Sequence, residues 1–170
     1  YAMRGPSGGY TNSDYNIAVG RYALYSINGG DNNFASGNRA LYWHSTGNYN
    51  QSLGYYSMYY SGTSNDYNIA IGRYAMRGTT TYTATDYNTA LGDYSLYSIN
   101  GGDYNTGVGK GSLQATTTGI GNIGMGSYSG DNITTGSYNI MLGYDIDAPS
   151  TTASNQLNIG NLIFGTDLDG

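Results

Sequence analysis

Short apolar phrases recur along the whole chain, and each begins at an asparagine. A typical phrase is Ile17-Ala18-Val19-Gly20, which follows Asn16 with an apolar, a small and a second apolar residue and then a glycine. The separations between successive leading asparagines are 17, 17, 18, 20, 17, 17, 17 and 19. They are Asn16, Asn33, Asn50, Asn68, Asn88, Asn105, Asn122, Asn139 and Asn158. A period this short predicts a solenoid of about nine coils with about 17 residues each.

The alternation of side-chain class around each glycine predicts an all-β fold rather than helices. We expect each coil to contain a strand of about four to six residues, a bend at the glycine, a second strand and a return turn. Asn28-Gly29-Gly30-Asp31 has the composition of such a turn. Stacked coils lie about 4.8 Å apart, so nine would form a rod about 40 Å long. At that spacing we expect the asparagine amides to hydrogen-bond from coil to coil.

Two columns of equivalent positions carry small residues and predict a thin interior between two closely packed sheets. The column two residues after the asparagine contains Ala18, Ala35, Ser52, Ala70, Ala90, Gly107 and Gly124. The column seven residues after it contains Ala23, Ala40, Ser57, Ala75, Ser95, Ser112 and Ser129. Since strand side chains alternate between faces, the bulkier neighbours should point outward.

These outward positions form an apolar stripe along the rod. Its residues are Ile17, Val19, Leu53, Ile69, Ile71, Leu91, Val108, Met125, Ile140 and Leu142. Monomeric proteins seldom expose a continuous apolar patch of more than a few hundred Å². We therefore predict that the stripe is the interface of a homo-oligomer packed in register, for which threefold symmetry is a natural closed arrangement.

Composition narrows the possible partners. The chain has 170 residues, a net charge of −5, and neither Cys nor Glu. Disulfides and thiolate metal sites are excluded, and the few basic residues argue against nucleic acid binding. No apolar run approaches the length of a membrane span, which is about 18 residues or more. We predict no cofactor and no insertion into a membrane.

The residues needed for catalysis are largely missing. His44 is the only histidine, it lies beside Trp43, and no nucleophile–base pattern surrounds it. A surface or packing role is the favoured interpretation for this residue. A glycan-cleaving mechanism also lacks its carboxylate pair, because Glu is absent and the Asp residues lie mostly in turns. We predict that the protein is not an enzyme.

Charged residues also fall into columns. Asp14, Asp66, Asp86 and Asp103 each precede a Tyr-Asn pair, where a side chain that caps N–H groups of its turn is the favoured interpretation. The alternative is a Ca²⁺ site formed by Asp66, Asp86 and Asp103. Five residues after the asparagine, Arg73, Asp93 and Lys110 alternate in sign and predict a surface ion ladder.

Tyrosine forms three further columns, for which structural stacking is the favoured role. The first contains Tyr15, Tyr49, Tyr67, Tyr87 and Tyr104, and the third contains Tyr25, Tyr42, Tyr59 and Tyr97. The second, Tyr22, Tyr56, Tyr74 and Tyr94, is the candidate glycan-binding surface. Two N-glycosylation sequons are present, at Asn50 and Asn132. Asn50 belongs to the internal column, so Asn132 is the candidate for modification.

Two known families share these phrases. Tyr15–Leu24 and Tyr67–Met76 resemble the head repeats of trimeric autotransporter adhesins, in which such a pattern forms a left-handed parallel β-roll. Tyr87–Leu96 is similar to repeats of phage tail-fibre-like proteins, and Ala153–Gly165 resembles the stretch before their C-terminal intramolecular chaperone. The resemblance implies a left-handed parallel β-roll, a trimer and an extracellular location, as a cell-surface appendage, free filament or virion fibre.

These patterns predict a repeat domain over residues 1–144 and a terminal coil with an irregular segment over 145–170. Tyr1–Gly5 repeats the sequence of Tyr74–Gly78, so the chain begins within a coil. We expect either a segment of a longer protein or a head-to-tail filament, with a homotrimer as the closed form. The predicted function is a structural subunit or segment of an extracellular fibre. The alternative is an adhesin or phage receptor-binding module that recognises surface glycans through its Tyr ladders.

Overall fold

The computed structural model describes residues 13–62, 64–79 and 83–165. They form one ten-stranded sheet in which the strands follow each other in chain order. The strands are β1 Ile17–Val19, β2 Phe34–Ser36, β3 Gln51–Leu53, β4 Ile69–Ile71, β5 Thr89–Leu91, β6 Thr106–Val108, β7 Ile123–Met125, β8 Ile140–Leu142, β9 Leu157–Ile159 and β10 Ile163–Gly165. None of the described residues is helical, and accordingly no helix there could cross a membrane.

Strands β1 to β9 are parallel, and equivalent positions of the repeat pair with each other. Ala70 of β4, for example, pairs with Ala90 of β5, at the same position in the next coil. The prediction of an all-β solenoid is thereby confirmed. Its nine parallel strands correspond to about eight full turns of the solenoid. The sheet continues from β8 into β9 across the predicted boundary at 144/145. Residues 1–12 and 166–170, including the partial repeat at Tyr1–Gly5, lie outside the described residues.

The prediction of a second strand in each coil, and hence of two sheets, is wrong. The first eight coils each contain one three-residue strand, and the segment after the glycine is a series of turns, whereas the last coil adds the second strand β10. In the coil of β5, Tyr94 has φ 61° and Leu96 has φ 50°. Two left-handed residues so close together prevent an extended conformation. The turns still pair from coil to coil, since the Leu96 N–H donates to the Ser112 carbonyl at 3.0 Å.

The interior holds larger side chains than the two small columns alone would suggest. Both small columns are buried as predicted, apart from the partly buried Ala18 near the first strand. A further buried column, eight residues after each asparagine, consists of Leu24, Leu41, Met58, Met76, Leu96 and Leu113. Ile27, Ile99 and Ile133 close the core on the side of the return turns. This interior anchors the strands so that their other face points outward.

Candidate functional site

A buried ladder of amides runs through the rod next to the strands. The backbone N–H of each ladder residue donates to the Oδ1 of the preceding one, for example from Asn88 to Asn68 at 2.9 Å. Each Nδ2 also reaches a carbonyl of the return turn, as Asn68 does with Thr85 at 2.7 Å. From Asn33 onward these side chains are buried. The predicted bonding between side-chain amides of adjacent coils is confirmed from Asn33 to Asn122. At the Asn16–Asn33 and Asn122–Asn139 steps the backbone N–H donates to the amide oxygen.

The ninth ladder position is Gln156, and its assignment to Asn158 is wrong. The Gln156 N–H donates to Asn139 Oδ1 at 2.8 Å, and its side-chain Nε2 donates to the same oxygen at 3.2 Å. Asn158 lies within β9, where it pairs with Met141 in the column of small residues. The ladder thus keeps its regular spacing at the last coil, where the longer glutamine side chain fills the amide position. We number the coils 1 to 9 by their ladder residues, from Asn16 to Gln156.

The aspartates two residues before the ladder form a second, shallower ladder. From Asp31 onward, each carboxylate accepts the N–H of the equivalent residue one coil earlier, as Asp86 Oδ1 does from Asp66 at 2.8 Å. Asp103 accepts from Asp86, and Asp66 accepts from Asn48. Capping by the side chain is confirmed for Asp66, Asp86 and Asp103, but the capped N–H belongs to the preceding coil and not, as predicted, to the same turn. Asp31, which accepts from Asp14, completes the column and was not predicted because no Tyr-Asn pair follows it.

The same contacts bear on the weak Ca²⁺ candidate at Asp66, Asp86 and Asp103. Each of these carboxylates uses one oxygen to accept a backbone N–H. Within the described ranges, no group of three or more His, Cys, Asp and Glu side chains is arranged to hold a metal ion. Burial raises the pKa of the Asp86 carboxyl, and the charges of Asp103 and Asp66 act in the same direction. The column is better explained as a capping ladder than as a cation site.

The predicted interface residues all lie on the outer face of β1 to β8, and none of them is buried. Ile17 and Val19 are each 56% exposed, Met125 is 47% exposed and Ile71 is 41% exposed. The other six are partly exposed. Polar residues interrupt the stripe in four coils, and they are Ser36, Gln51, Thr89 and Thr106. The structure thus presents a flat, mainly apolar surface along the rod.

Tyr49, Tyr67, Tyr87 and Tyr104 form a continuous stack beside this stripe. Their ring centroids are 4.9–5.1 Å apart and neighbouring planes differ by 2–7°. The rings are about half exposed. Each has a left-handed backbone, with φ 57° throughout. The predicted structural stacking is confirmed for these four, whereas Tyr15 is followed in its column by Asn32 and is largely exposed.

The second and third tyrosine columns merge into a single surface with arginines. Arg39 lies over the rings of Tyr22, Tyr42 and Tyr56 at 5.1–5.8 Å, and it hydrogen-bonds the Tyr56 hydroxyl. Within the candidate glycan-binding column, Tyr74 and Tyr94 are 5.2 Å apart with planes tilted by 33°. Sugars stack on the faces of aromatic rings. Here those faces are largely covered by neighbouring rings and guanidinium groups.

The predicted ion ladder has two separate parts. Arg73 Nε lies 3.4 Å from Asp93 Oδ2, with both side chains about half exposed. The backbone N–H of Arg73 also donates to Asp93 Oδ1 at 2.8 Å. Lys110 instead contacts Tyr128, and their hydrogen bond raises the pKa of the Lys110 ammonium. A pair this exposed contributes no more than about 1 kcal/mol.

His44 lies inside the rod, in the core column that contains Ile27. Its Nε2 is 2.9 Å from the Gly47 carbonyl and its Nδ1 is 3.2 Å from Ser61 Oγ. Burial lowers the pKa of His44 to about 4, although the Gly47 carbonyl and the charge of Asp66 act in the opposite direction. Its partners are structural, so the predicted packing role is the one that the contacts support.

Acid should weaken the fold through His44. In the unfolded chain the His44 imidazole is protonated below about pH 6.5, whereas in the folded chain it is protonated only near pH 4. The contribution of neutral His44 to the free energy of unfolding is therefore fully present above pH 6.5 and falls as the pH decreases. We expect a loss of about 2 to 3 kcal/mol between pH 7 and pH 4.5, and no such loss in His44→Ile. Urea titrations of both proteins at the two pH values test this. Equal pH dependence in both would contradict it. Asp86 and Asp131, whose raised pKa values act oppositely, are common to both proteins.

The glycosylation candidate Asn132 is half-buried and engaged at both ends of its amide. Its Nδ2 donates to the Ala148 carbonyl and its Oδ1 accepts the Ala148 N–H, both at 2.9 Å. A sugar on Nδ2 would displace the first of these bonds. Asn50, at the other sequon, is fully buried in the amide ladder.

No family model, curated protein or solved structure matches this chain. The resemblance to autotransporter heads and tail-fibre repeats therefore stays a prediction from its repeat phrases. The fold defines the class of protein: a β-solenoid built from a short, regular repeat with one parallel strand in each coil.

Proposed function

We propose that this protein is a non-enzymatic structural subunit or segment of an extracellular fibre, in which copies pack through the apolar stripe. The observation that carries the proposal is the exposure of large apolar side chains on the outer face of successive parallel strands. Water-exposed apolar surface is costly at about 25 cal/mol per Å², and burial against another copy removes that cost.

The last strand favours side-by-side association over the head-to-tail polymer. β10 pairs antiparallel with β9, with Phe164 opposite Asn158. The outer edge of the ninth parallel strand is thus already occupied, and a further copy cannot add a parallel strand there. Edge strands covered in this way are a common protection against end-to-end pairing. The stripe remains as the surface through which copies would join.

Sedimentation tests this function. We expect the native chain to sediment as an oligomer at micromolar concentration, because the stripe is buried between copies. Ile71→Lys with Met125→Lys should raise the dissociation constant more than tenfold, since each lysine would carry a charge into an apolar interface. The far-ultraviolet circular dichroism should be unchanged.

Leu162 supplies the matched control. It is an exposed apolar residue that lies after β9 and outside the stripe. Leu162→Lys should therefore leave the oligomer intact. A native chain that sediments as a folded monomer would refute the proposed function.

Glycan recognition is the second proposal, supported by a column of partly exposed tyrosines along the rod. Tyr22, Tyr56, Tyr74 and Tyr94 are the residues that it would use. We rank it below the structural role because their ring faces are covered by Arg39, Arg73 and neighbouring rings.

A further inference from the structure

We infer that neighbouring copies lie parallel and level with each other, with the acidic flank of one copy against the basic flank of the next. The inference rests on the proposed function, because it assumes that copies associate through the apolar stripe. It adds the direction of the chains and the residues that set their register.

The two flanks border the stripe on opposite sides. The acidic flank is the column two residues before the ladder, which contains Asp14, Asp31, Asp66, Asp86 and Asp103. The basic flank is the column five residues after the ladder, which contains Arg21, Arg73 and Lys110. The three-residue strand lies between these columns in every coil. When stripes of two copies meet, their flanks therefore meet as well.

The charges of the two flanks match level by level. Arg21, Arg73 and Lys110 lie in coils 1, 4 and 6, and each of these coils has an aspartate in its acidic flank. In coil 3 both positions are uncharged, with Asn48 and Tyr55. The same holds for coils 7 to 9, where the acidic-flank positions are Ile120, Ser137 and Ser154, and the basic-flank positions are Ser127, Tyr144 and Asn161. Every cation of the basic flank thus finds a carboxylate at its own level.

Two levels depart from this match. Coil 5 has Asp86 on one flank and Asp93 on the other, so this level places two carboxylates opposite each other, and Arg73 of coil 4 lies 3.4 Å from Asp93. In coil 2, Asp31 lies level with Asn38, and the neighbouring residue Arg39 is the nearest cation in sequence. Asp131, Asp145 and Asp147, the other acids among the described residues, lie outside both columns. Coil 5 therefore opposes the parallel arrangement, whereas coils 1, 4 and 6 favour it.

Symmetry determines which assembly uses this match. A rotation axis along the rod brings the acidic flank of one copy to the basic flank of the next and keeps equal coils level, for two copies as for three. An axis across the rod brings acidic flank to acidic flank and reverses the order of the coils. Like charges at close range oppose association. The charge pattern therefore selects the parallel assembly.

Spin labels measure the direction of the chains. The chain has no cysteine, so Thr46→Cys and Thr152→Cys each provide a single labelling site. Both threonines are exposed and occupy the same position of the repeat, in the return turns of coils 2 and 8. In a parallel assembly each variant alone should give the same distance between copies. A mixture of the two should add a longer distance, because their levels differ by about 29 Å.

The outcomes separate this inference from the proposed function. A mixed pair with the shortest distance would show antiparallel copies and would overturn the inference while leaving the fibre function intact. The absence of any dipolar coupling, with a monomer in sedimentation, would overturn both.

Charge variants test the residues themselves. Asp66→Asn with Asp103→Asn keeps the capping oxygen, as Asn48 does naturally, and removes two charges. We expect the dissociation constant to rise about tenfold and its salt dependence to weaken. Arg73→Gln with Lys110→Gln should have a similar effect, and combining the two sets should add little more, because they remove the same pairs. Fully additive effects, or effects no larger than that of the control Asp147→Asn, would overturn the pairing.

Discussion

Replacing Gly92 with alanine should prevent the coils from stacking. Gly92 has φ +135°, and a Cβ at this position would lie 2.6 Å from both the carbonyl carbon and the oxygen of Gly109 in the next coil. Because the obstacle is backbone, no side-chain rotation relieves it. The bend would have to open and separate coils 5 and 6, at a cost of more than about 4 kcal/mol. Urea unfolding followed by circular dichroism should show a lost or strongly shifted transition.

Gly160 provides the matched control, since it occupies the same repeat position in coil 9. Its φ is +57°, and an added Cβ would meet no atom within 4 Å. Alanine there should cost only about 1 kcal/mol, the usual penalty of the left-handed conformation. If both alanine variants were equally mild, close contact between bends would not be what requires glycine.

Removal of one rung from the amide ladder should have the second-largest effect. Asn68 is fully buried, and Asn68→Leu would leave the Asn88 N–H and the Thr85 carbonyl without their partners. Each buried polar group left unpaired costs about 1 to 3 kcal/mol, so we expect a loss of about 3 to 5 kcal/mol. Chemical denaturation at fixed protein concentration measures this loss.

The control for this substitution is Asn38→Leu, five residues after a ladder position. Asn38 is only partly buried, and its column is on the surface. The change there should stay within about 0.5 kcal/mol. Similar losses from the two substitutions would show that the ladder contributes no more than an ordinary surface asparagine.

Repetition made much of the fold predictable. In a stack of coils, each position meets its own equivalent above and below. A chemical requirement such as a glycine at a tight bend then appears many times in the sequence. The amide ladder, the column of glycines that contains Gly92 and the outward apolar stripe could all be predicted from the sequence in this way.

Two features escaped prediction, each for a physical reason. Tyr94 and Leu96 adopt positive φ although their side chains disfavour it. Because these are not residue types typical of such bends, the sequence does not predict the bends. Coil-to-coil hydrogen bonds compensate for that strain. Gln156 replaces asparagine in the ladder, and a nearby asparagine within β9 offered a false match.

The candidate surfaces were predictable in part. The exposure of Ile71 and Met125 follows from strand alternation, whereas the covering of the tyrosine faces depends on side-chain conformations. The burial of His44 could be predicted only by aligning it with Ile27, the equivalent residue one coil earlier, which is also buried.

The return turns vary in length while the ladder beside them does not. The coil between Asn68 and Asn88 is longer than the one between Asn33 and Asn50, yet the ladder bond is 2.9 Å in both. One corner of the rod therefore accommodates additional chain without transmitting strain to its neighbours. Such a corner is a natural point for grafting foreign peptides, displayed at regular intervals on a stiff support.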